Sequence, residues 1–586
     1  MKLYTSAIFA SLLLLSCQKS FLEVIPIGSV NETTLATKQG VDGLLVGAYS
    51  LLDGFGTGGG DIYGSRMVHA TIPSDDAHTG TIPNGILAQM EGYTFDATSY
   101  PFDNRWRMLY SAVQRANDAL RVLSQAKDLT VDEANQAEAE ARFLRGFYHM
   151  EAAMMWKNVP YLDETITYNN KNYNVSNTEP VWPKIEDDFN FAAGNLSATN
   201  SQVGRVNSWA AKAFLAKAYM FQHKFTEAKP LLKDIIDNGR TTNGLKYALN
   251  AKYYDNFYSG AKHGPEAVFA VQMSVLDGTT NGANGNYTDG YGGPFNSPTT
   301  GGFGWLQPSF DLANAYQTDP VTGLPLIGTY QNTPIVTDQG LASSDPFTPH
   351  SGTLDARLDW CIGRRGIPYL DWGYHPGQAW VRQQFSGGPY TGIKHIATKA
   401  RAATDRQNIA TNNPYNLIRF ADVLLWAAEV EVEIGSLELA EDYVNMIRAR
   451  AANPDGFVKK YIDDDPAKGF SNIPAANYFV GLYSGQFAIQ GKDFAREAVR
   501  FERRLELALE HHRLFDLRRY DNGSGYMATI MNNYLTFEKN VPGYNNAYMS
   551  DGHFTQGKNE VYPIPQIQID RSMSGGAATL KQNDKY

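Results

Sequence analysis

VRFERRLELALEHHRLFDLRRY occupies residues 499–520 and carries the period of a helix. Phe501, Leu505 and Leu509 recur at i, i+4 and i+8, and Leu507 and Ala508 widen the stripe, so one side of this helix is expected to press into a core. The remaining positions are mostly Glu and Arg. Arg503 with Glu506, and Glu506 with Glu510, sit one turn apart, so attractions and repulsions partly cancel. Each such exposed pair contributes only a few tenths of a kcal/mol. The expectation is a core-facing helix with a solvated charged face. His511 and His512 are sequence neighbours and point to different faces, which argues against a shared metal.

The start of the chain has the make-up of an export signal. Lys2 precedes the apolar run Ala7 to Leu15, which is too short to span a bilayer as a helix. Leu14-Leu15-Ser16-Cys17 then reads as a lipobox, with residues 1–16 as signal peptide and 17–32 as a lipidated tether. Acylation of Cys17 would hold the chain at a membrane, since each buried CH₂ is worth about 0.8 kcal/mol. The plain alternative is an ordinary signal peptide with a chance cysteine. Once Cys17 carries lipid only Cys361 remains, so no intramolecular disulfide is available and the fold rests on its core. The formal charge of −10 supplies no positive field for phosphate and argues against nucleic acid as a partner. The 34 Tyr and 9 Trp exceed what a core requires, and rings with a polar tip suit a sugar- or peptide-binding surface.

Helical periodicity organises most of the remainder. Val41, Leu44, Leu45, Ala48 and Leu52 mark a first helix that stops in the glycines between Gly54 and Gly60. Trp106 to Ala126 carries Leu109, Val113, Ala116, Leu120 and Leu123 on one face, and Ala134 to Trp156 forms its partner. Leu215, Ala216, Tyr219, Phe225, Ala228, Leu232 and Ile235 then fall at the spacing of a tetratricopeptide unit. Leu424, Ala427, Ala428, Gly435, Ala440, Val444 and Ile447 repeat much of that spacing about two hundred residues later. No unit buries its face alone, so the separated pairs are expected to stack into one solenoid.

Between the repeats the character changes. Asp277 to Trp305 is rich in Gly, Asn and Thr and nearly free of charge, yet it holds Tyr287, Tyr291, Phe295, Phe303 and Trp305. Asp359 to Tyr390 likewise carries Trp360, Tyr369, Trp372, Tyr374, Trp380, Phe385 and Tyr390 among glycines and prolines. Long inserts of this kind are functional or disordered, and so many rings argue against plain disorder. A pyranose offers a C–H face to a Trp or Tyr plane and a rim of hydroxyls to Asp, Asn, Gln or Arg. The same rings could lie along a peptide backbone. No His-Glu-x-x-His, Walker loop, Gly-x-Ser-x-Gly elbow or Cys-x-x-Cys occurs, so no catalytic residue, cofactor or metal is expected. A pair of distant carboxylates acting as a glycosidase is invisible to spacing arguments.

Several stretches together resemble the SusD-like (RagB/SusD) family of outer-membrane lipoproteins. They are Glu502-Arg503-Arg504-x-Glu506-Leu507-Ala508-x-Glu510 followed by Arg513-x-Phe515-Asp516-Leu517-Arg518-Arg519, and Leu417 to Leu425 at the head of the second repeat. Val561-Tyr562-Pro563-Ile564-Pro565 and Gln582-Asn583-x-x-Tyr586 complete the pattern, while His511 stands where the family favours a small residue, often Gly. The turn-forming segment Ser74 to Gly80 resembles the Asp-Asp segment bordering the family's ligand site.

The resemblance implies a mostly α fold, with tetratricopeptide-like helical pairs as a solenoid scaffold and an irregular loop-rich region holding the ligand. It further implies a surface lipoprotein that captures oligosaccharides for a SusC-like TonB-dependent transporter, without enzymatic activity. The residues after Cys17 lack an acidic run, so outward display rests on the resemblance. A single domain over 33–586 is expected, with scaffold at about 104–260 and 413–520 and ligand region at about 53–103 and 277–400. The expected ligand contacts are Asp75, Asp76, His78, Tyr93, Tyr291, Phe303, Trp305, Trp372 and Tyr374. Two other readings remain open: a peptide-binding member of the family, and a tetratricopeptide scaffold without a small ligand.

Overall fold

The computed structural model describes residues 32–54, 62–80, 85–299 and 301–586. The expected signal peptide, Cys17 and the tether as far as residue 31 lie outside the described residues. Helix α1 (Lys38–Tyr49) packs on α2 (Tyr100–Leu123) and α3 (Val131–Trp156), and α4 (Trp182–Asn195), α5 (Ser208–Phe221) and α6 (Phe225–Asn238) follow, each against its predecessor. Thr130 and Glu133 form a capping box that starts α3. Gly146 lets α4 approach closely, because a Cβ there would lie 3.0 Å from Asp188 Cβ and 3.2 Å from the Phe189 ring.

The second repeat forms α7 (Phe420–Ile434) and α8 (Leu437–Ala451), and α7 packs directly on α6. The interrupted repeat therefore continues the first stack. Leu215, Ala228, Leu232 and Ile235 are buried with Leu424, Ala428, Ala440, Val444 and Ile447, the small and branched residues of both spacings. Strand β1 (Ala267–Val271) pairs antiparallel with β2 (Tyr415–Arg419), so the loop-rich insert leaves and rejoins the scaffold at one place. The chain terminus closes over α3. Asn583 Nδ2 donates to Trp156 O at 2.9 Å and Tyr562 O at 2.8 Å, and the Trp156 indole donates to Pro563 O at 2.9 Å.

Residues 499–520 depart from the expectation in two ways. They form two helices, α9 (Lys492–Leu507) and α10 (Arg513–Asp521), and α11 (Tyr526–Lys539) follows. Leu509 at φ 64° and His511 at φ 63° turn the chain between α9 and α10. A side chain in that left-handed region costs about 1–2 kcal/mol, which accounts for a position that favours glycine. His511 holds it with its ring, 2.6 Å from Thr71 Oγ1 and 3.1 Å from Asp289.

The charged face is also buried rather than solvated. Glu502 and Glu506 are 0 % exposed, and Arg503 and Arg504 are 2 % and 4 % exposed. Their partners come from far along the chain. Arg419, at the end of β2, reaches Glu266 at 2.5 Å, Glu506 at 2.9 Å and Glu510 at 2.7 Å. Arg450 joins Glu266 and Glu506, while Arg357 joins Glu502, Glu506 and Asp355. Burial by itself would raise the Glu506 carboxyl, but Arg450, Arg419 and Arg357 outweigh it and hold it at about 2.

A second ionic cluster fastens the 74–80 loop. Asp75 takes a two-pronged pair from Arg513 at 2.7 Å, and Arg504 bridges Asp76 at 3.2 Å and Asp311 at 2.7 Å. His78 faces Glu91 at 2.7 Å and Glu538 at 3.0 Å, so both ring nitrogens donate and the imidazolium is the bound form. Burial alone would disfavour that charge, but Glu538 and Glu91 raise the ring to about 10.

Two outcomes follow from these clusters. Arg419→Met leaves three buried carboxylates short of counter-charge and is expected to lower stability by about 3–5 kcal/mol in urea denaturation. A loss below about 1 kcal/mol, the worth of an exposed pair, would refute a fastening role. Because the folded value of His78 is raised, its contribution is complete below its unfolded value near 6.5 and is lost as the pH rises through about 10. The unfolding free energy of the wild type is therefore expected to fall more steeply between pH 7 and 10 than that of His78→Gln, and parallel curves would refute the assignment.

Candidate functional site

Among the loops, five rings run in an unbroken row. Tyr100 meets Tyr63 edge-on at 4.9 Å, and Tyr63 lies 5.9 Å from Trp305. Trp305 is 5.2 Å from Tyr291, which stacks on Phe303 at 5.2 Å and 23°. Tyr100 and Phe303, at the two ends, are 45 % and 39 % exposed, while Trp305 is 9 % exposed. Tyr63 and Tyr291 are half-buried. The row thus has two exposed ends and a packed middle.

Local chain geometry sets each ring in place. Tyr100 opens α2 ahead of Pro101, where a missing N–H has no consequence because the first helical amides lack intrahelical partners. Tyr63 sits in the single turn Ile62–Gly64. Tyr291 ends the short helix Tyr287–Tyr291, one turn of helix inside the loop-rich insert, and its carbonyl accepts from Phe303 N at 3.1 Å and Trp305 N at 3.3 Å. These two bonds fold 301–305 back over Tyr291. Beside the row, the Arg382 guanidinium lies 5.0 Å above the Phe295 ring, and Arg382 Cβ would be 3.7 Å from a Cβ at Gly304. Arg382 has no ion pair or side-chain hydrogen bond among the described residues, which leaves its donors available to a ligand rim.

The expected contacts divide into three groups. Tyr291, Phe303 and Trp305 come together in the row. Asp75, Asp76, His78 and Tyr93 do not reach it as surface groups, and this corrects the sequence-based expectation. Asp75 and Asp76 are 1 % exposed, His78 is 0 % and Tyr93 is 6 %. The first three are held by the ion pairs described above, and Tyr93 donates its hydroxyl to Pro73 O and packs edge-on against Phe554. Burial raises the Asp75 carboxyl less than Arg504 and Arg513 lower it, so it stays ionised down to about 2. Their loop supports the row from behind: Ala77 and His78 pair antiparallel with Pro308 and Gln307, two residues beyond Trp305.

Trp372 and Tyr374 belong to another part of the surface. Trp372 packs on the cluster of Tyr369, Leu370, Ile393 and Ile396, with its indole donating to Ala397 O at 2.9 Å. Tyr374 bonds Asp464 at 2.5 Å and meets the Tyr461 ring at 5.1 Å. No ring pair joins either to the row among the described residues. Sequence reasoning missed Tyr63 and Tyr100. The available signal for Tyr100 is its place ahead of Phe102 and Trp106, off the apolar stripe of α2.

Comparison with known proteins bears on this arrangement. The model of the SusD family matches residues 265–586, and a second model, described as starch-binding associating with outer membrane, matches 20–220. SusD-like protein P2 of Formosa agariphila is 23 % identical over 526 residues, covering 88 % of this chain and 90 % of its own length. Among solved structures, a SusD superfamily protein from Bacteroides vulgatus superposes with TM-score 0.66 at 19 % identity, covering 94 % of this chain and all of that one. The surface glycan-binding protein A of Bacteroides thetaiotaomicron, solved with laminarihexaose, superposes with TM-score 0.63 at 19 % identity over 93 % of this chain and 99 % of that one. These likenesses share the mostly helical fold, and the family match takes in the second repeat, the buried α9 charges and the terminal clamp: the chain belongs to the SusD family.

Proposed function

We propose that this chain is a non-enzymatic, surface-exposed nutrient-binding lipoprotein. It takes oligosaccharides on the row Tyr100, Tyr63, Trp305, Tyr291 and Phe303 and passes them to a SusC-like TonB-dependent transporter. The observation that carries the reading is the row itself, five contiguous rings of graded exposure on loops that a helical scaffold and a buried ionic cluster hold fixed. Sugar C–H faces lie on such rings, and Arg382 supplies donors for hydroxyls at the edge. Every hydroxyl leaves water to gain a comparable hydrogen bond, so the expected affinity is modest and resides mainly in the rings.

The remaining parts of the reading have separate supports. The Bacteroides thetaiotaomicron neighbour was solved with a bound laminarihexaose, which favours a glycan as cargo. The description of the family model over 20–220 favours the outer membrane, with the lipid on Cys17 as anchor. No helix among the described residues is long and apolar enough to cross a membrane.

Calorimetric titration with laminarihexaose and maltohexaose, followed by product analysis of the same samples, tests the assignment. Trp305→Ala and Tyr291→Ala are each expected to weaken binding about tenfold or more, equivalent to about 1.4 kcal/mol, with the sugar recovered intact. Unchanged affinity in both variants would overturn the site, and released shorter sugars would overturn the non-enzymatic reading.

A further inference from the structure

A cleft of about 860 Å³ opens elsewhere on the molecule, between α2 from Trp106 to Arg121, the loop following α3 and the C-terminal segment that includes the helix Gln566–Arg571. Its α2 wall runs from Trp106, about 9 Å along the helix from Tyr100 at about 1.5 Å per residue, to Arg121, and none of the five rings of the row lines it. At its mouth stand Tyr168 and Tyr173, 84 % and 50 % exposed, with ring centroids 5.1 Å apart and planes at 47°. Exposed rings on a slack loop would mean little. This loop is pinned: Asn170 and Asn172 both donate to Thr165 O, at 2.9 and 3.0 Å, and Asn172 accepts from Thr167 N at 2.9 Å.

The polar lining divides into committed and uncommitted groups. Glu164 is paired with Arg145, and Asp118 is paired with Arg121 and accepts from Gln114 at 3.0 Å. The Asn169, Asn174 and Arg571 side chains line the same cleft and have no hydrogen bond or ion pair among the described residues. What remains free is two amides, one guanidinium and two ring faces, with the carboxylates already neutralised. Amides donate and accept as sugar hydroxyls require, the guanidinium donates, and the rings cover C–H faces. From this geometry we infer that the cleft is a second saccharide site, taking a short neutral oligosaccharide between the Tyr168 and Tyr173 rings and the Asn169, Asn174 and Arg571 side chains. The inference rests on the proposal that this chain binds glycans.

The test titrates the purified chain with laminarihexaose and maltohexaose by calorimetry, comparing wild type, Trp305→Ala and the double variant Tyr168→Ala/Tyr173→Ala. The tyrosines are exposed, so the double variant is expected to melt with the wild type; Asn169→Ala/Asn174→Ala serves as an independent second variant. Two sites are expected in the wild type. The double variant loses one by about tenfold or more in affinity, and Trp305→Ala loses the other. A single wild-type site, abolished in Trp305→Ala and untouched by the Tyr168 and Tyr173 changes, would overturn the cleft and leave the aromatic row standing. Loss of all binding in the double variant with none in Trp305→Ala would support the cleft and overturn the row. No heat from either sugar would overturn both.

Discussion

Everything in this molecule hangs on the guanidinium of Arg419, which meets Glu266, Glu506 and Glu510 in a space closed to water. Burying such charges is expensive, and the arrangement holds only because every carboxylate is met by more than one cation. Glu506 alone is shared by Arg419, Arg450 and Arg357. Those partners stand on β2, on α8 and in the loop-rich insert, so one cluster locks the scaffold to the region that carries the rings. Arg504 and Arg513 extend the lock to the 74–80 loop, and through it to the strand pairing beside Trp305.

The helical scaffold was legible because its signal is local. Spacing of Leu, Ala and Ile over two turns is enough to mark a helix face, and Leu215, Ala228, Leu232 and Ile235 are buried, as are Leu424, Ala428, Ala440, Val444 and Ile447. The environment of α9 was not legible from its own residues. A run of Glu and Arg looks solvated when its partners are unknown, and these partners lie 87 positions away at Arg419 and 149 away at Arg357. The break after Leu507 was equally hidden, since nothing in Leu509 or His511 announces a positive φ. The resemblance to a pattern with Gly at His511 held the one hint of it.

The candidate site was half legible for a related reason. Tyr291, Phe303 and Trp305 stand out as rings retained in a segment poor in everything else that builds a core, and the chain folds back on itself to gather them. Trp372 and Tyr374 share that composition but sit on another cluster, because composition carries no information about which loops meet. Asp75, Asp76 and His78 were read as surface turn residues. The structure makes them a foundation, with Arg504, Arg513 and Glu538, all from the last fifth of the chain, as counter-charges.

The position of α9 near the end of the chain has a consequence for how the protein comes into being. Arg357, Arg419, Arg450 and Glu266 are all made before Glu506 and Glu510. Until then Arg357, Arg419 and Arg450 have only Glu266 and Asp355 of the carboxylates that they meet in the finished structure. The native centre is therefore inaccessible to a nascent chain, and contacts of such long range close slowly. The order of residues along the chain thus keeps the finished shape out of reach until the tail itself has been made.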